Sequence, residues 1–357
     1  MLLACIFGGT PIIVMTDSAS VRSDVDTVLR PATTADLPAL VALVNRVNHA
    51  SGTMIQVQPD ELAEELQSSL TVMDRDSRLA VDGDGRIVGF VWTIHLPSDD
   101  TDERCYVNGG VDPSFTGRGI GRVLADWGVA HARGRHDARP GLQAQTIRVS
   151  HQAEDLRSIE LFASLGFAPV RWFDDLVRSI DSLPPRRAVD GAVIEPWPLD
   201  DPLHDGIRLA KNDAFADHWG SSPTTPEGWT ELVHGFGGRP DLSFVARGAA
   251  DGRVVAMLLS HRFPADDALL GRTQAWIDKL GTVRGWRGRG LATALIVEAM
   301  HRYAAEGMTH AMISVDADSP TGASRLYRSL GFETVQRYVT TELVHRQAPA
   351  TGAGGAR

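Results

Sequence analysis

Val111-Asp112-Pro113-Ser114-Phe115-Thr116-Gly117-Arg118-Gly119-Ile120-Gly121 stands in the first half of the chain, and Thr282-Val283-Arg284-Gly285-Trp286-Arg287-Gly288-Arg289-Gly290-Leu291-Ala292 in the second. Each opens a run with apolar residues at helical spacing: Val123, Leu124, Ala125, Trp127, Val129 and Ala130 after the first, and Ala294, Leu295, Ile296, Ala299 and Met300 after the second. Gly119 and Gly290 are 171 residues apart. A second landmark, Leu-Gly-Phe, recurs at Leu165-Gly166-Phe167 and Leu330-Gly331-Phe332, at a spacing of 165. Two landmarks in one order and nearly one register predict a duplicated domain, and the repeat sets the architecture.

Working outward, each half begins alike. Val28-Leu29-Arg30 is a short strand, followed by a helix with Leu37, Leu40, Val41 and Val44 on one face; Val193-Ile194-Glu195-Pro196-Trp197 and Ile207, Leu209, Ala210 and Phe215 repeat the pattern. Hairpins with Asp-Gly turns follow, around Asp82-Gly83-Asp84-Gly85 and around Asp251-Gly252. Strands Tyr106 to Val111 and Trp276 to Val283 lead into the glycine loops. After each loop helix come another strand (Ile147-Arg148-Val149; Ala311 to Val315), a helix and a closing strand. This order predicts an α+β fold, two tandem domains each with a mostly antiparallel twisted sheet flanked by helices. The expected boundaries are an N-terminal extension at 1–27, a first domain at 28–182, a Pro184-Pro185 linker at 183–191, a second domain at 192–346 and a disordered tail at 347–357.

At 357 residues, two domains fit a prior of roughly 100–200 residues each. A chain that is 43% hydrophobic and 22% charged, with mean hydropathy -0.11, has the composition of a soluble globular protein, and no membrane partner is expected. Its formal charge of -10 argues against nucleic acid as a partner. Lys211 and Lys279 are the only lysines, which reads as coding bias towards arginine. Cys5 and Cys105 offer neither a zinc spacing nor a disulfide framework, so no metal is expected and a cytoplasmic location fits. Met1 to Met15 is apolar but has no Lys or Arg before the apolar run, so translation is expected to start at Met15.

A strand that ends in a glycine loop and opens a helix directs unpaired backbone N–H groups and the positive end of the helix dipole to one point, which suits a phosphate or pyrophosphate. A tight connection without a ligand is the competing reading. No Gly-Lys-Ser/Thr follows for a P-loop, and the dinucleotide GxGxxG with its acidic partner is absent.

The element order and the loop together resemble the GNAT family of acyl-CoA-dependent N-acetyltransferases, with their Arg/Gln-x-x-Gly-x-Gly/Ala motif. Arg287-Gly288-Arg289-Gly290-Leu291-Ala292 matches it throughout, and Thr116-Gly117-Arg118-Gly119-Ile120-Gly121 departs only at its first position. The resemblance covers nearly all of 28–180 and 192–345, including Tyr327 ahead of the second Leu-Gly-Phe. It implies acetyl-CoA as donor, with CoA as product. The CoA pyrophosphate would lie on Arg287, Gly288, Arg289, Gly290, Leu291 and Ala292. The pantetheine arm would lie along Leu280, Gly281, Thr282 and Val283. Tyr327 would protonate the departing thiolate; its competing role is packing.

Where relatives often carry a glutamate base, this chain has Trp276, and Asp278 is taken as the base, or as the carboxylate that holds a water or the substrate ammonium. An acid merely held by an arginine is the competing reading for Asp278. Asp217-His218-Trp219 lies in the segment that covers the acceptor in this family, and His218 reads as a surface histidine before a substrate contact. In the first half Phe162 and Val107 take the places of Tyr327 and Asp278, so that half is expected to be degenerate, with Val111, Thr116, Gly117, Arg118, Gly119, Ile120 and Gly121 as a second, optional CoA loop. Ser319 stands where an asparagine is common in tandem relatives. The leading expectation is acetylation of a small-molecule primary amine by a monomer or homodimer. A protein or peptide acceptor, and a non-catalytic acyl-CoA-binding module, stay open.

Overall fold

The computed structural model describes residues 27–68, 70–97, 102–139, 142, 144–198, 203–318 and 322–346. The Met15 start, Cys5, Ser319 and the tail from Gln347 lie outside the described residues. The first repeat runs β1 Val28–Arg30, α1 Leu37–Ala50, α2 Pro59–Leu66, α3 Met73–Asp76, β2 Ser77–Val81, β3 Ile87–Pro97, β4 Asp102–Val111, α4 Ile120–Asp137, β5 Ala144–Gln152, α5 Leu156–Ser164 and β6 Ala168–Ser179. The second runs β7 Ala192–Pro196, α6 Leu203–Phe215, α7 Pro226–His234, β8 Phe244–Gly248, β9 Val254–His261, α8 Asp267–Leu270, β10 Gln274–Thr282, α9 Leu291–Ala305, β11 His310–Asp316, α10 Ala323–Ser329 and β12 Glu333–Arg346.

The hairpins form where the turn chemistry places them. Asp82 Oδ1 accepts from the backbone N–H groups of Asp84 and Arg86 at 3.1 and 2.9 Å, and Asp251 Oδ1 accepts from that of Arg253 at 3.1 Å. Parallel pairing enters each repeat once, between β4 and β5 and between β10 and β11, with α4 or α9 as the crossover helix.

The chain divides into two compact units. Among the described residues, one holds Met54–Gln56 and Trp172–Arg337, the other 27–53, Val57–Arg171 and 338–346. Within the first, strands lie in the order β6-β11-β10-β9-β8-β7; within the second, β1-β2-β3-β4-β5-β12. The boundaries expected at 182 and 192 gave each repeat its own closing strand, whereas in the structure the closing strands are exchanged. From Phe173 to Ser179, β6 pairs antiparallel with β11 of the second repeat, and from Tyr338, β12 pairs antiparallel with β5 of the first. Alternation identifies a strand without naming its ladder partner, so the sequence pattern is the same for either arrangement. The expected linker is also packed: Leu183 and Val189 lie against the core of the 172–337 unit, and Arg186 pairs with Glu298 at 2.8 Å.

In the 172–337 unit the sheet has an apolar cluster on each face. Ala246, Ala256 and Leu258 join Leu295, Met300 and Tyr303 of α9, while the alternate residues Val245, Met257 and Leu259 join Ile207 of α6 and Trp229 and Leu232 of α7.

The exchange predicts an outcome. Arg148 on β5 is buried and pairs with Glu342 at 2.7 Å, and His151 Nε2 lies 3.0 Å from Thr341 Oγ1. A chain ending at Arg337 strips β5 of this ladder and removes the Glu342 carboxylate from the buried Arg148, a loss on the order of 3 kcal/mol from the pair alone. Limited proteolysis of that chain is expected to digest 57–171 and spare 172–337. Equal resistance of both segments would contradict the strand assignment.

Candidate active site

Strand β10 runs to Thr282, but its parallel pairing with β11 ends at Ile277 opposite Ile313. Strand β9 alone accompanies β10 to Thr282. Peptide groups from Asp278 to Thr282 therefore have a side without a ladder partner, the kind of edge an extended ligand arm can join. The same opening occurs in the first repeat, where β4–β5 pairing ends at Tyr106 opposite Arg148 and β4 continues to Val111.

Past β10 a single 3₁₀ turn at Arg284–Trp286 leads to Gly288 and Gly290, with φ of +77° and +84°. Both need the left-handed region that glycine adopts without strain. Gly290 is the N-cap of α9 and supplies no side-chain cap, so the first-turn N–H groups are left for a ligand. A Cβ at Gly285, Gly288 or Gly290 would meet nothing within 4 Å. Open space, uncapped N–H groups and Arg289 resting 4.5 Å over the Trp286 ring suit an anionic diphosphate.

Arg287 ties the loop to the end of α6, donating to Ala214 O at 3.0 Å and approaching Asp217 at 3.5 Å. Arg284 pairs with Asp217 at 2.8 Å. The first-repeat loop keeps the backbone, with Gly117 and Gly119 at φ of +76° and +82°, while Thr116 bonds only locally, to Pro113 O at 3.1 Å. Asp112 is buried there between Arg46 and Arg86, each 2.9 Å away.

Tyr327 sits on α10, buried in the same core as Ile313 and Leu295, with Phe332 edge-on at 6.1 Å. The Leu-Gly-Phe turn ends the helix: Leu330 and Phe332 donate their N–H groups to Tyr327 O, and Gly331 takes φ of +83°. Among the described residues the Tyr327 hydroxyl has no hydrogen-bond partner, and burial pushes its pKa well above the ordinary tyrosine value. Phe162 occupies the matching place on α5, fully buried, its ring 5.4 Å from His151 and 5.1 Å from Phe167.

Asp278 lies at a β-bulge. Trp276 faces His261 and Ile277 faces Ser260 across the ladder, but Leu259 faces Lys279, so Asp278 is the extra residue. The extra residue leaves Asp278 on the side of β10 that Trp276 also faces, with His261, and away from Ile277. Ile277 and Leu280 both turn to the α9 core, and Asp278 and Lys279 are both buried away from it. Asp278 meets Lys279 Nζ at 3.0 Å and His261 Nδ1 at 3.3 Å. Burial alone would raise the carboxyl pKa; the Lys279 ammonium and His261 outweigh it and hold the group well below the usual carboxylate range. Such a carboxylate is a poor proton acceptor, and the partners that hold it are a lysine and a histidine, where the sequence suggested an arginine.

Lys211, on α6, joins this group. It is 6% exposed, donates to Thr224 Oγ1, lies 5.6 Å from the Phe215 ring, and feels the charges of Lys279 and Asp278. Sequence reading passed over Lys211, Lys279 and His261; the available signal was that only two lysines occur, and both are buried here. Trp276 is buried against Phe263 at 6.4 Å. His218 is half-buried, 4.8 Å from the Phe215 ring.

In the other unit Asp76, His95 and His131 bring ligand atoms within 4.8 Å of one another. Arg75 and Arg135 already pair with that aspartate at 2.8 and 3.1 Å, which opposes a cation there. Among the described residues no helix is long and apolar enough to cross a membrane.

Comparison with known proteins agrees with this geometry. The sequence profile described as the Acetyltransferase (GNAT) family matches residues 47–167 and 208–332. A mycothiol acetyltransferase of Acidothermus cellulolyticus is 29% identical, covering 94% of this chain and 98% of its own. One from Propionibacterium freudenreichii is 31% identical over 38% of this chain and 44% of its own. Among solved structures, a GCN5-related N-acetyltransferase from Sphaerobacter thermophilus superposes with TM-score 0.72 at 25% identity, covering 90% of this chain and 97% of that one. A tandem GNAT protein from the clavulanic acid biosynthesis pathway shares the fold, with TM-score 0.65 at 16% identity, over 89% of this chain and 98% of that one. With both repeats matched by the profile, the chain belongs to the GNAT acetyltransferase family, an N-acetyltransferase of two tandem domains whose acetyl donor is acetyl-CoA.

Proposed function

We propose that the protein acetylates a primary amine of a small molecule by direct attack in a ternary complex, in the 172–337 unit. The observation that carries this reading is the contrast at one position of the repeat: the buried Tyr327, whose hydroxyl has no hydrogen-bond partner among the described residues, against the hydrocarbon ring of Phe162. Bound acetyl-CoA supplies a thioester, an acyl group activated towards a neutral amine. The N–H groups of the loop from Arg287 to Ala292 would hold the pyrophosphate, and the open edge of Leu280, Gly281, Thr282 and Val283 would orient the pantetheine arm and polarise the carbonyl. Tyr327 would hold a proton at its hydroxyl for the leaving sulfur.

We read Asp278 as a fixed anion that anchors Lys279 and His261, in place of the base suggested by its position. Among the described residues nucleophilic catalysis through cysteine has no support, since Cys105 is fully buried in the other unit, where burial pushes its thiol pKa up. The other unit, with Val111 and the loop Thr116 to Gly121 but no acid at Phe162, is read as degenerate in catalysis. Relatives named for mycothiol favour a small-molecule acceptor over a protein one.

The test is release of free CoA from acetyl-CoA in the presence of a panel of small amines and of lysine-bearing and N-terminal peptides. Stimulation by a small amine is expected. Stimulation by peptides alone would make the acceptor a protein. Tight CoA binding with no stimulated release would make the chain a binding module.

A further inference from the structure

Lysine is almost absent from this chain: 33 of its 35 Lys and Arg residues are arginine. Solvent-exposed positive charge is thus arginine throughout, yet both lysines are buried, at 6% and 5% exposure, beside the bulge of β10. Arginine supplies charge and hydrogen bonds as well as lysine does; what it cannot do near neutral pH is give up its proton. Two lysines that occur only where β10 opens therefore point to a task that needs a deprotonatable amine. The two differ in their partners. Lys279 has a carboxylate at 3.0 Å. Lys211 has no ion pair among the described residues; it donates to the Thr224 hydroxyl, and a cationic neighbour, Lys279, bears on it.

The position of Lys211 connects it to the edge on which the donor would lie. It is one turn before Ala214 and Phe215, which close on Gly281 so tightly that a Cβ there would meet them at 2.9 and 3.0 Å. Its partner Thr224 belongs to the segment after α6 that also carries Asp217, His218 and Trp219. We propose that Lys211, as its neutral amine, takes the proton from the acceptor's ammonium before the acceptor nitrogen attacks. The N–H bond of the ammonium breaks with its electron pair left on the acceptor nitrogen, a new N–H bond forms at Lys211 Nζ, and that proton later passes to water.

The charged groups that face Lys211 are Lys279 and Asp278 of β10; β9 contributes His261, paired with Asp278, and α7 turns Glu227, Glu231 and His234 to solvent. On α6 itself, Arg208 is engaged by Asp205 at 2.7 Å and Asp213 by the Arg284 N–H at 2.9 Å. Burial, reinforced by Lys279 and opposed by Asp278, lowers the Lys211 pKa to about 8, which leaves a useful neutral fraction at mildly alkaline pH.

This inference rests on the acetyl-transfer reading above, and the experiment separates the two. Full-length protein carrying lysine labelled with ¹³C at Cε gives two signals, assigned with Lys211→Arg. The Lys211 signal is expected to titrate about two units below the ordinary lysine value of roughly 10.4. With the best amine of the CoA-release panel, wild-type kcat/KM should rise through an acidic limb near the same pH. Lys211→Arg and Lys211→Met should each lose about 100-fold and that limb, while acetyl-CoA affinity and melting temperature stay near wild type. A Lys211 signal at the ordinary value, or Lys211→Arg within threefold of wild type with the limb intact, overturns the proposal; the latter outcome would make Lys211 a charge that anchors an anionic acceptor. Absence of wild-type turnover with every amine would count against the acetyl-transfer reading itself.

Discussion

Tyr327→Phe is expected to lower kcat about 100-fold and leave the melting temperature unchanged. The two readouts divide the two roles open to this residue. As a packing group, Tyr327 uses its ring in the core with Ile313, Leu295 and Phe332, and phenylalanine reproduces that ring. Its hydroxyl has no hydrogen-bond partner among the described residues, so removing it leaves no other buried group unsatisfied. Only proton donation is lost. Burial that raises the phenol's proton affinity acts in the same sense on a sulfur leaving into the same apolar surroundings, so the transfer between them is not opposed by burial alone. Single-turnover measurement checks that kcat tracks the chemical step. Full activity of Tyr327→Phe would return the residue to packing alone.

Gly290→Glu should weaken acetyl-CoA binding about 100-fold, and more than Gly119→Glu does. Each substitution forces a side chain onto a backbone with φ above +80°, at a cost of about 1–3 kcal/mol, and sets a negative charge at a helix N-terminus where an anion would bind. Backbone geometry is common to both loops. The difference lies in what secures them: Arg287 fixes the second loop to Ala214 and Asp217, whereas Thr116 reaches only Pro113. Calorimetric titration of both variants decides the matter, and equal losses would contradict the assignment of the donor site to the 172–337 unit.

Much of the fold was legible residue by residue. The hairpin turns at Asp82 and Asp251, the glycine loops and the Leu-Gly-Phe helix stops are local devices, in which nearest neighbours along the chain decide the conformation. The glycine loop and Tyr327 were legible for the same reason. Asp278 was located but misjudged: its character depends on a bulge that turns it and Lys279 to one side, and on His261, which arrives from another strand. Lys211 and Lys279 were visible only as a compositional oddity, since nothing in the 67 intervening residues says that α6 brings the first to the second.

The sequence by itself established a duplicated α+β domain, a glycine loop that opens a helix in each copy, and the absence of the tyrosine in the first, because those features are written in short-range spacing and residue type. Only the tertiary structure decided that the closing strands are exchanged and that the two lysines meet at the opening of β10. The physical reason is that ladder partners and buried charge pairs are chosen between segments far apart in the chain, where a local pattern is satisfied equally by several arrangements and packing of the whole sheet selects one.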